Sequence, residues 1–147
     1  MEKVKVQIRK YLNARGAKYV KTGTAGLNTG ANYFVLSKEK GIEIPMRLAD
    51  AKGEHKGRMS IIVFSHREQS DPINAAIVKK MPREISGLKY VDARVHEGKE
   101  KKSFGCICKY YLPAEFRWNA LGDKELKKIL GLYNEIVANL FKIGVYA

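Results

Sequence analysis

Residues 32–48 read NYFVLSKEKGIEIPMRL, a run that contains two strand patterns and the turn between them. Asn32–Ser37 has strand composition, and the polar segment Lys38–Gly41 predicts a turn. The stretch that follows alternates apolar and polar residues from Ile42 to Leu48, which is typical of an amphipathic strand. Pro45 lacks an N–H group, so we expect this strand at a sheet edge or with a bulge. Strands joined by so short a turn pair antiparallel.

The chain continues with consecutive strands on the C-terminal side of this hairpin. Met59–Phe64 is apolar on both faces, which predicts a central strand. Leu88–Glu97 and Phe104–Leu112 predict a second hairpin, with a charged turn between them. Because strands follow strands without crossover helices, a doubly wound α/β fold is disfavoured.

Three helices are predicted around these strands. Val4–Leu12 repeats apolar residues at helical spacing. Asp71-Pro72 is a helix start, followed by a buried line of Ile73, Ile77 and Met81 that Pro82 ends. Asp123 caps a long helix through about Ile143, with Gly144 as its stop. Its expected apolar face consists of Leu126, Ile129, Leu130, Tyr133, Ile136, Val137, Leu140 and Phe141.

The order of elements predicts an α+β fold for residues 1–147 as a single domain. We expect a mainly antiparallel sheet of about five to six strands with helices packed on one face. The length of 147 residues and a hydrophobic content of 45% suit one globular domain. No apolar stretch approaches the roughly 20 residues that span a bilayer, and the charged start excludes a signal peptide. With only two cysteines, Cys106 and Cys108, we expect a cytoplasmic protein.

The net charge of +13 is concentrated in the first part of the chain. Residues 1–60 hold 13 basic and 5 acidic side chains, a balance of +8. Clustered cations predict a partner rich in phosphate, since neutralising several phosphates together releases their counterions. The predicted nucleic-acid-binding residues are Lys5, Arg9, Lys10, Lys18, Lys21, Arg47, Lys52, Lys56 and Arg58.

Aromatic residues alternate with lysines on several predicted strands. Lys89-Tyr90 and Lys109-Tyr110-Tyr111 are examples. Exposed aromatic rings on a sheet can stack on unpaired bases while the cations hold phosphates. About half of these rings can face outward, because side chains alternate along a strand.

Catalytic and metal-binding patterns are weak. Cys106-x-Cys108 has no second pair of ligands for zinc, and indicates two small side chains that face the core. Asp50 and Lys52 could end a metal-dependent nuclease site, which needs a further acid such as Glu43. The glycine-rich stretch 22–30 lacks the ending of a P-loop. We expect no metal, no cofactor and no catalytic residue, and favour a non-enzymatic protein.

The first hairpin and the residues after it resemble a known sequence pattern. Asn32-Tyr-Phe-Val-Leu-Ser followed by Ile44-Pro-Met-Arg-Leu-Ala-Asp50 resembles a strand–turn–strand pattern of small phage and mobile-element accessory proteins. That pattern ends in Ser-Asp-His, where this chain has Ala49 and Ala51 in place of the serine and the histidine. The resemblance implies a viral accessory protein, including an inhibitor of host defence, and no mechanism.

Three functions therefore remain open from the sequence. The first is a basic protein that binds the phosphate backbone of DNA or RNA. The second is a phage inhibitor, of the anti-defence or anti-CRISPR type, that docks on an acidic or RNA-containing host complex. The third is a metal-dependent nuclease.

Overall fold

A computed structural model describes residues 10–11, 21–23, 33–47, 56–95, 105–117 and 120–146, with the backbone course alone for residues 21–23, 33 and 34. Lys10 and Tyr11 are helical. The strands are β1 (Lys21–Gly23), β2 (Tyr33–Glu39), β3 (Ile42–Arg47), β4 (Ser60–Ser65), β5 (Glu84–Ile85), β6 (Leu88–Val95) and β7 (Cys106–Tyr111). The helices are α1 (Pro72–Lys80) and α2 (Asp123–Lys142).

The strands form one sheet in the order β1-β2-β3-β4-β7-β6-β5, and every neighbouring pair is antiparallel. This confirms the predicted α+β class with its antiparallel sheet and long C-terminal helix. The described sheet has seven strands, more than expected, because β1 and β5 are only 3 and 2 residues long. Strand β4 lies in the middle with all six residues buried, as its apolar sequence predicts.

A two-residue turn closes the β2–β3 hairpin. Lys40 and Gly41 have φ angles of 53° and 79°, and Glu39 pairs with Ile42 on either side of them. Two successive positive φ angles are the signature of a type I′ turn, whose twist matches that of antiparallel strands. This turn therefore fixes the register of the hairpin that the sequence predicts.

The sequence predicts an edge strand or a bulge at Pro45, and the structure shows the bulge in the neighbouring strand. Strand β3 lies between β2 and β4, so it is not an edge strand. The irregularity occurs in the neighbouring strand: the β2–β3 register shifts between Val35 and Ser37, and Val35 is the residue paired with Pro45. A bulge in β2 thus accommodates the missing N–H group of the proline.

One face of the sheet, here called the first face, builds the main hydrophobic core. Directly paired residues share a face, which places Met46, Ile61 and Tyr110 side by side on it. These residues form a single cluster with Tyr11, with Ile77 of α1 and with the buried side of α2. Both helices therefore pack against the same face, as predicted.

Helix α2 is rotated slightly from its predicted orientation. Its fully buried residues are Leu126, Ile129, Leu132, Ile136 and Leu140. Leu132 replaces Phe141 in this stripe, and the Phe141 side chain is 54% exposed. The N-cap is also one residue earlier than predicted: Gly122 is the cap, and its N–H donates to the Glu125 carboxylate at 3.1 Å. Gly144, with φ of 87°, follows the helix end as predicted.

Helix α1 begins and ends where the sequence predicts. The Asp71 carboxylate accepts a hydrogen bond from the Ile73 N–H at 2.9 Å, and the Arg67 guanidinium bonds it at 2.7 Å. These two bonds stabilise the carboxylate and lower the pKa of Asp71. Ile77 and Met81 are buried and Ile73 is half-buried, and the helix ends at Lys80, before Pro82.

Neither of the two described helices combines the length and the apolar character that are needed to cross a bilayer.

Candidate nucleic-acid interface

The opposite face of the sheet, here called the second face, has an apolar centre of its own. Phe64 pairs with Ile107, and alternation along the strands turns both away from the first face. Val35, Ile62, Phe64, Ile107 and Tyr111 are all buried, although none of them belongs to the main cluster. The polar side chains of the second face therefore surround an apolar centre.

Cations concentrate at one end of the second face. The register aligns Arg47 with Ser60, Ser60 with Tyr111 and Tyr111 with Lys89 across four strands. In these four strands the end row contains two cations and no carboxylate, and in the next strand Glu84 pairs with Lys89. Arg58 is two residues before Ser60, and Lys109 is two residues before Tyr111, so both share the face. We call Arg47, Arg58, Lys89 and Lys109 the sheet-end cluster.

Tyr111 is the centre of this cluster. The Arg58 Cζ lies 4.7 Å from the Tyr111 ring centroid, and the Lys109 Nζ lies 4.9 Å from it. The negative face of an aromatic ring attracts cations, so the ring holds both charges close together. Arg58 is further fixed by its Nη2, which donates to the Leu112 carbonyl at 2.7 Å. Contacts within the protein thus fix the positions of Arg58 and Lys109.

Two described acids of the second face pair with members of the cluster: Glu84 with Lys89 in the end row, and Asp92 with Lys109 one row inward. The Asp92 carboxylate accepts a hydrogen bond from Arg94 Nη1 at 2.9 Å. Asp92 therefore already shares its charge with another cation. The four cations of the cluster outnumber the two acids paired with them, which leaves a positive balance at this end of the sheet.

Of the nine predicted binding residues, five lie in the described part of the chain and four lie outside it. Arg47 and Arg58 belong to the sheet-end cluster, and Lys56 is exposed in the turn that precedes β4. Lys21 pairs with Val35 in the backbone register, which places its position on the same row as Lys109. Lys10 is exposed beside the buried Tyr11, on a separate helical segment. Lys5, Arg9, Lys18 and Lys52 lie outside the described residues.

Two members of the cluster, Lys89 and Lys109, were not among the predicted binding residues. Both appear in the lysine–tyrosine pairs of the sequence, which was the available signal. Their proximity to Arg47 and Arg58 depends on the pairing of β4 with β7, whose partners are 41 or more residues apart. No local sequence pattern contains that pairing.

The stacking role expected for the aromatic residues does not hold for the strand tyrosines whose side chains are described. Tyr110 is fully buried, and its hydroxyl donates to the Pro82 carbonyl at 2.6 Å. Tyr111 is only 6% exposed. Tyr90 is half-buried, with the Arg83 Cζ 4.2 Å from its ring centroid. These three rings serve packing and cation binding within the chain.

The structure describes some of the residues that the sequence suggested for metal binding or catalysis. Cys106 and Cys108 are free thiols buried on the first face beside Tyr110. Among the described residues, no group of three or more histidine, cysteine or carboxylate side chains could hold a metal ion. Asp50 and Lys52 lie outside those residues. Glu43, the further acid considered for a nuclease, is buried on the second face, 3.4 Å from His66 Nε2.

No protein family model, no curated protein and no solved structure matches this chain.

Proposed function

We propose that this chain is a small, basic, non-enzymatic protein that binds the phosphate backbone of DNA or RNA. The observation that carries the proposal is the sheet-end cluster, in which three strands and the segment before β4 contribute two arginines and two lysines near one tyrosine. The overall charge of the chain, +13, has the same sign as the cluster.

The four cations of the sheet-end cluster repel one another. Two unit charges about 5–10 Å apart repel by about 2–3 kcal/mol at an effective dielectric constant near 20, and salt screens part of this energy. A phosphate placed among such charges replaces repulsion by attraction and releases counterions from the nucleic acid. Phosphates are the regularly spaced anions that can neutralise several cations of one surface together.

The aromatic geometry supports backbone contact over base stacking at this site. A stacking platform presents its ring face to the solvent, whereas the Tyr111 ring is buried and carries two cations. Contacts made only to phosphates position a protein without reading sequence. We therefore expect weak sequence preference and strong salt dependence.

A charge-matched pair of variants tests the proposal. Lys56→Gln, Lys89→Gln and Lys109→Gln remove three cations at the sheet end and leave Arg58 in place. Lys79→Gln, Lys127→Gln and Lys142→Gln remove three exposed cations from the helices and serve as the control. Binding of single- and double-stranded DNA and RNA is measured by fluorescence anisotropy at several salt concentrations.

The sheet-end variant should lose affinity for all sequences alike, and its log–log salt slope should shrink by roughly 0.7–0.9 for each phosphate contact removed. The control should change much less. A third variant, Lys5→Gln, Arg9→Gln and Lys10→Gln, tests the cations predicted on the first helix. Equal losses in the sheet-end variant and the control would contradict a localised phosphate site.

Absence of nucleic-acid binding at low salt would overturn the proposal and favour the phage-encoded inhibitor that docks on a host protein or ribonucleoprotein. Metal-dependent cleavage in the same assay would favour the nuclease. We further propose that the protein acts in the cytoplasm, because free thiols such as Cys106 and Cys108 persist in a reducing compartment.

A further inference from the structure

Three recesses that share lining residues follow one flank of α2, and we refer to them together as the groove. Its central part has a volume of about 430 Å³ and is lined by Gly87, Pro113, Lys128, Gly131, Leu132 and Glu135. Lys128 also lines a neighbouring recess of about 280 Å³, toward Arg117 and Lys124. Glu135 also lines a second recess of about 270 Å³, toward Glu84 and Asn139. Helix α2 forms one wall from end to end.

The floor of the central part is small and apolar. A Cβ built on Gly87 would lie 3.5 Å from Leu132 Cδ2 and 3.9 Å from Pro113 Cγ, so these residues already meet there. Gly87 itself has a φ angle of 80°, which the turn between β5 and β6 requires. Apolar atoms at the floor favour an aliphatic side chain as the central anchor of a ligand.

Gly131 is the residue that makes this groove unusual. A glycine in the interior of a helix lowers stability relative to alanine. Such a glycine is often explained by close packing, but a Cβ at Gly131 would meet no atom within 4 Å. The fold therefore gains nothing from the missing side chain. A residue that lowers helix stability and relieves no steric contact is expected at functional sites, here where a ligand approaches the helix backbone.

Charge is ordered along the groove. One end holds Arg117, Lys124 and Lys128 together with Glu115 and Glu125, a balance of +1. The other end holds Glu84 and Glu135, a balance of −2. The distance from Lys124 to Asn139 is 15 helical residues, or about 22 Å. An extended chain of about seven residues has the same length.

We propose that this groove binds an extended peptide segment of a partner protein. The segment carries acidic residues over Lys124 and Lys128, an aliphatic anchor over Gly131 and Leu132, and basic residues over Glu84 and Glu135. This interaction uses a surface formed by α2 and the β5–β6 turn, which adjoins the sheet-end cluster at Glu84, the partner of Lys89.

The probe is the synthetic peptide acetyl-Asp-Asp-Leu-Val-Leu-Lys-Lys-amide, titrated to about 1 mM, a range that detects dissociation constants up to about 1 mM. Binding is followed by NMR, because Gly87 and Gly131 line the groove and their backbone amide signals report on a ligand there. A peptide with serine in place of the three aliphatic residues is the ligand control. Gly131→Leu fills the groove, and Asn134→Leu places the same side chain at an exposed position of α2 that does not line it.

We expect the Gly87 and Gly131 signals to shift with the aliphatic peptide and not with the serine peptide. Gly131→Leu should weaken binding about tenfold or more, whereas Asn134→Leu should leave it unchanged. Lys128→Glu should weaken it about fivefold by opposing the acidic end. No shift at the highest concentration, or equal effects of the two leucine variants, would overturn the proposal. Circular dichroism of each variant verifies that α2 remains folded.

Discussion

Gly105 passes so close to Asn74 that any side chain at Gly105 would collide with the Asn74 amide group and with the Arg67 carbonyl. Asn74 is 1% exposed, and its Nδ2 donates to the Glu68 carbonyl at 2.7 Å. The Gly105 N–H in turn donates to the Ser65 carbonyl at 2.7 Å. This contact joins the start of β7 to the loop that leads into α1.

Gly105→Ala should therefore destabilise the protein. The added methyl group has to displace a buried, hydrogen-bonded amide, and overpacking of this kind costs about 1–3 kcal/mol. Urea denaturation measures the change. Gly131→Ala is the matched control, because its methyl group meets nothing and the helix gains up to about 1 kcal/mol. Equal shifts of the two variants would contradict the close approach.

Leu140 and Phe141 are neighbours in α2 but should contribute very differently to the free energy of unfolding. Leu140 is fully buried, so Leu140→Ala removes core volume and should cost about 2–5 kcal/mol. Phe141→Ala should cost no more than about 1 kcal/mol, since that ring is mostly exposed and contacts Tyr146 by its edge, with 5.4 Å between ring centroids. Thermal unfolding of both variants tests the observed rotation of the helix. A larger loss for Phe141→Ala would favour the stripe that the sequence predicts.

Arg58 should contribute to stability as well as to charge. Its guanidinium both covers the Tyr111 ring and donates to the Leu112 carbonyl. A lysine cannot make both contacts with the same geometry, so Arg58→Lys should cost about 1–3 kcal/mol although the charge is kept. Lys56→Arg, in the exposed turn two residues earlier, should be neutral. A neutral Arg58→Lys variant would show that the ring contact and the hydrogen bond add nothing.

Stability should decrease in alkaline solution. Burial, with a smaller effect of the neighbouring Cys108 thiol, raises the pKa of Cys106 from 9.0 to about 12. Burial also raises the pKa of Cys108, Tyr110 and Tyr146. These groups stay protonated in the folded state while the unfolded chain ionises. Unfolding therefore releases protons above about pH 9, and each group can lower the free energy of unfolding by up to about 1.4 kcal/mol per pH unit.

Below about pH 9 these four groups are protonated in both states, so they give no pH dependence there. Urea denaturation between about pH 8 and 11, followed by tyrosinate absorbance, measures the effect. A free energy of unfolding that stays constant across this range would contradict the burial of these groups. Replacing Cys106 by alanine should flatten part of the decrease.

Local chemistry decided which elements could be predicted from the sequence. Asp71-Pro72 combines an N-cap carboxylate with the ring that suits the first helical position, so the start of α1 could be predicted. The cap of α2 could not, because Gly122 has no side chain and Glu125 supplies the bond instead. The choice between Leu132 and Phe141 depends on how α2 packs against the sheet, and periodicity alone does not fix that rotation.

The sequence indicates which basic residues could form the candidate site, but not which of them lie close together in the folded protein. Arg47 and Arg58 could be chosen from the charge of the first 60 residues. The position of Lys89 depends on a register shift between Tyr90 and Asp92 in β6, which no pattern in the sequence indicates. The bond from Arg58 to Leu112 spans 54 residues. Long-range pairing of this kind is set by the whole sheet and not by neighbours in the chain.

The position of β4 in the sheet has a consequence for the protein's synthesis. Strands β1 to β4 are neighbours both in sequence and in space, as are β5 to β7, and the two sets meet only where β4 pairs with β7. At about 5–20 residues per second, a ribosome needs roughly 2–10 s to add β7 after β4. During that interval β4, whose six residues are all buried in the folded protein, has an unpaired edge, which can pair with the same strand of another nascent copy. Slow translation between residues 66 and 105 should therefore favour aggregation, and a chaperone that covers β4 should prevent it.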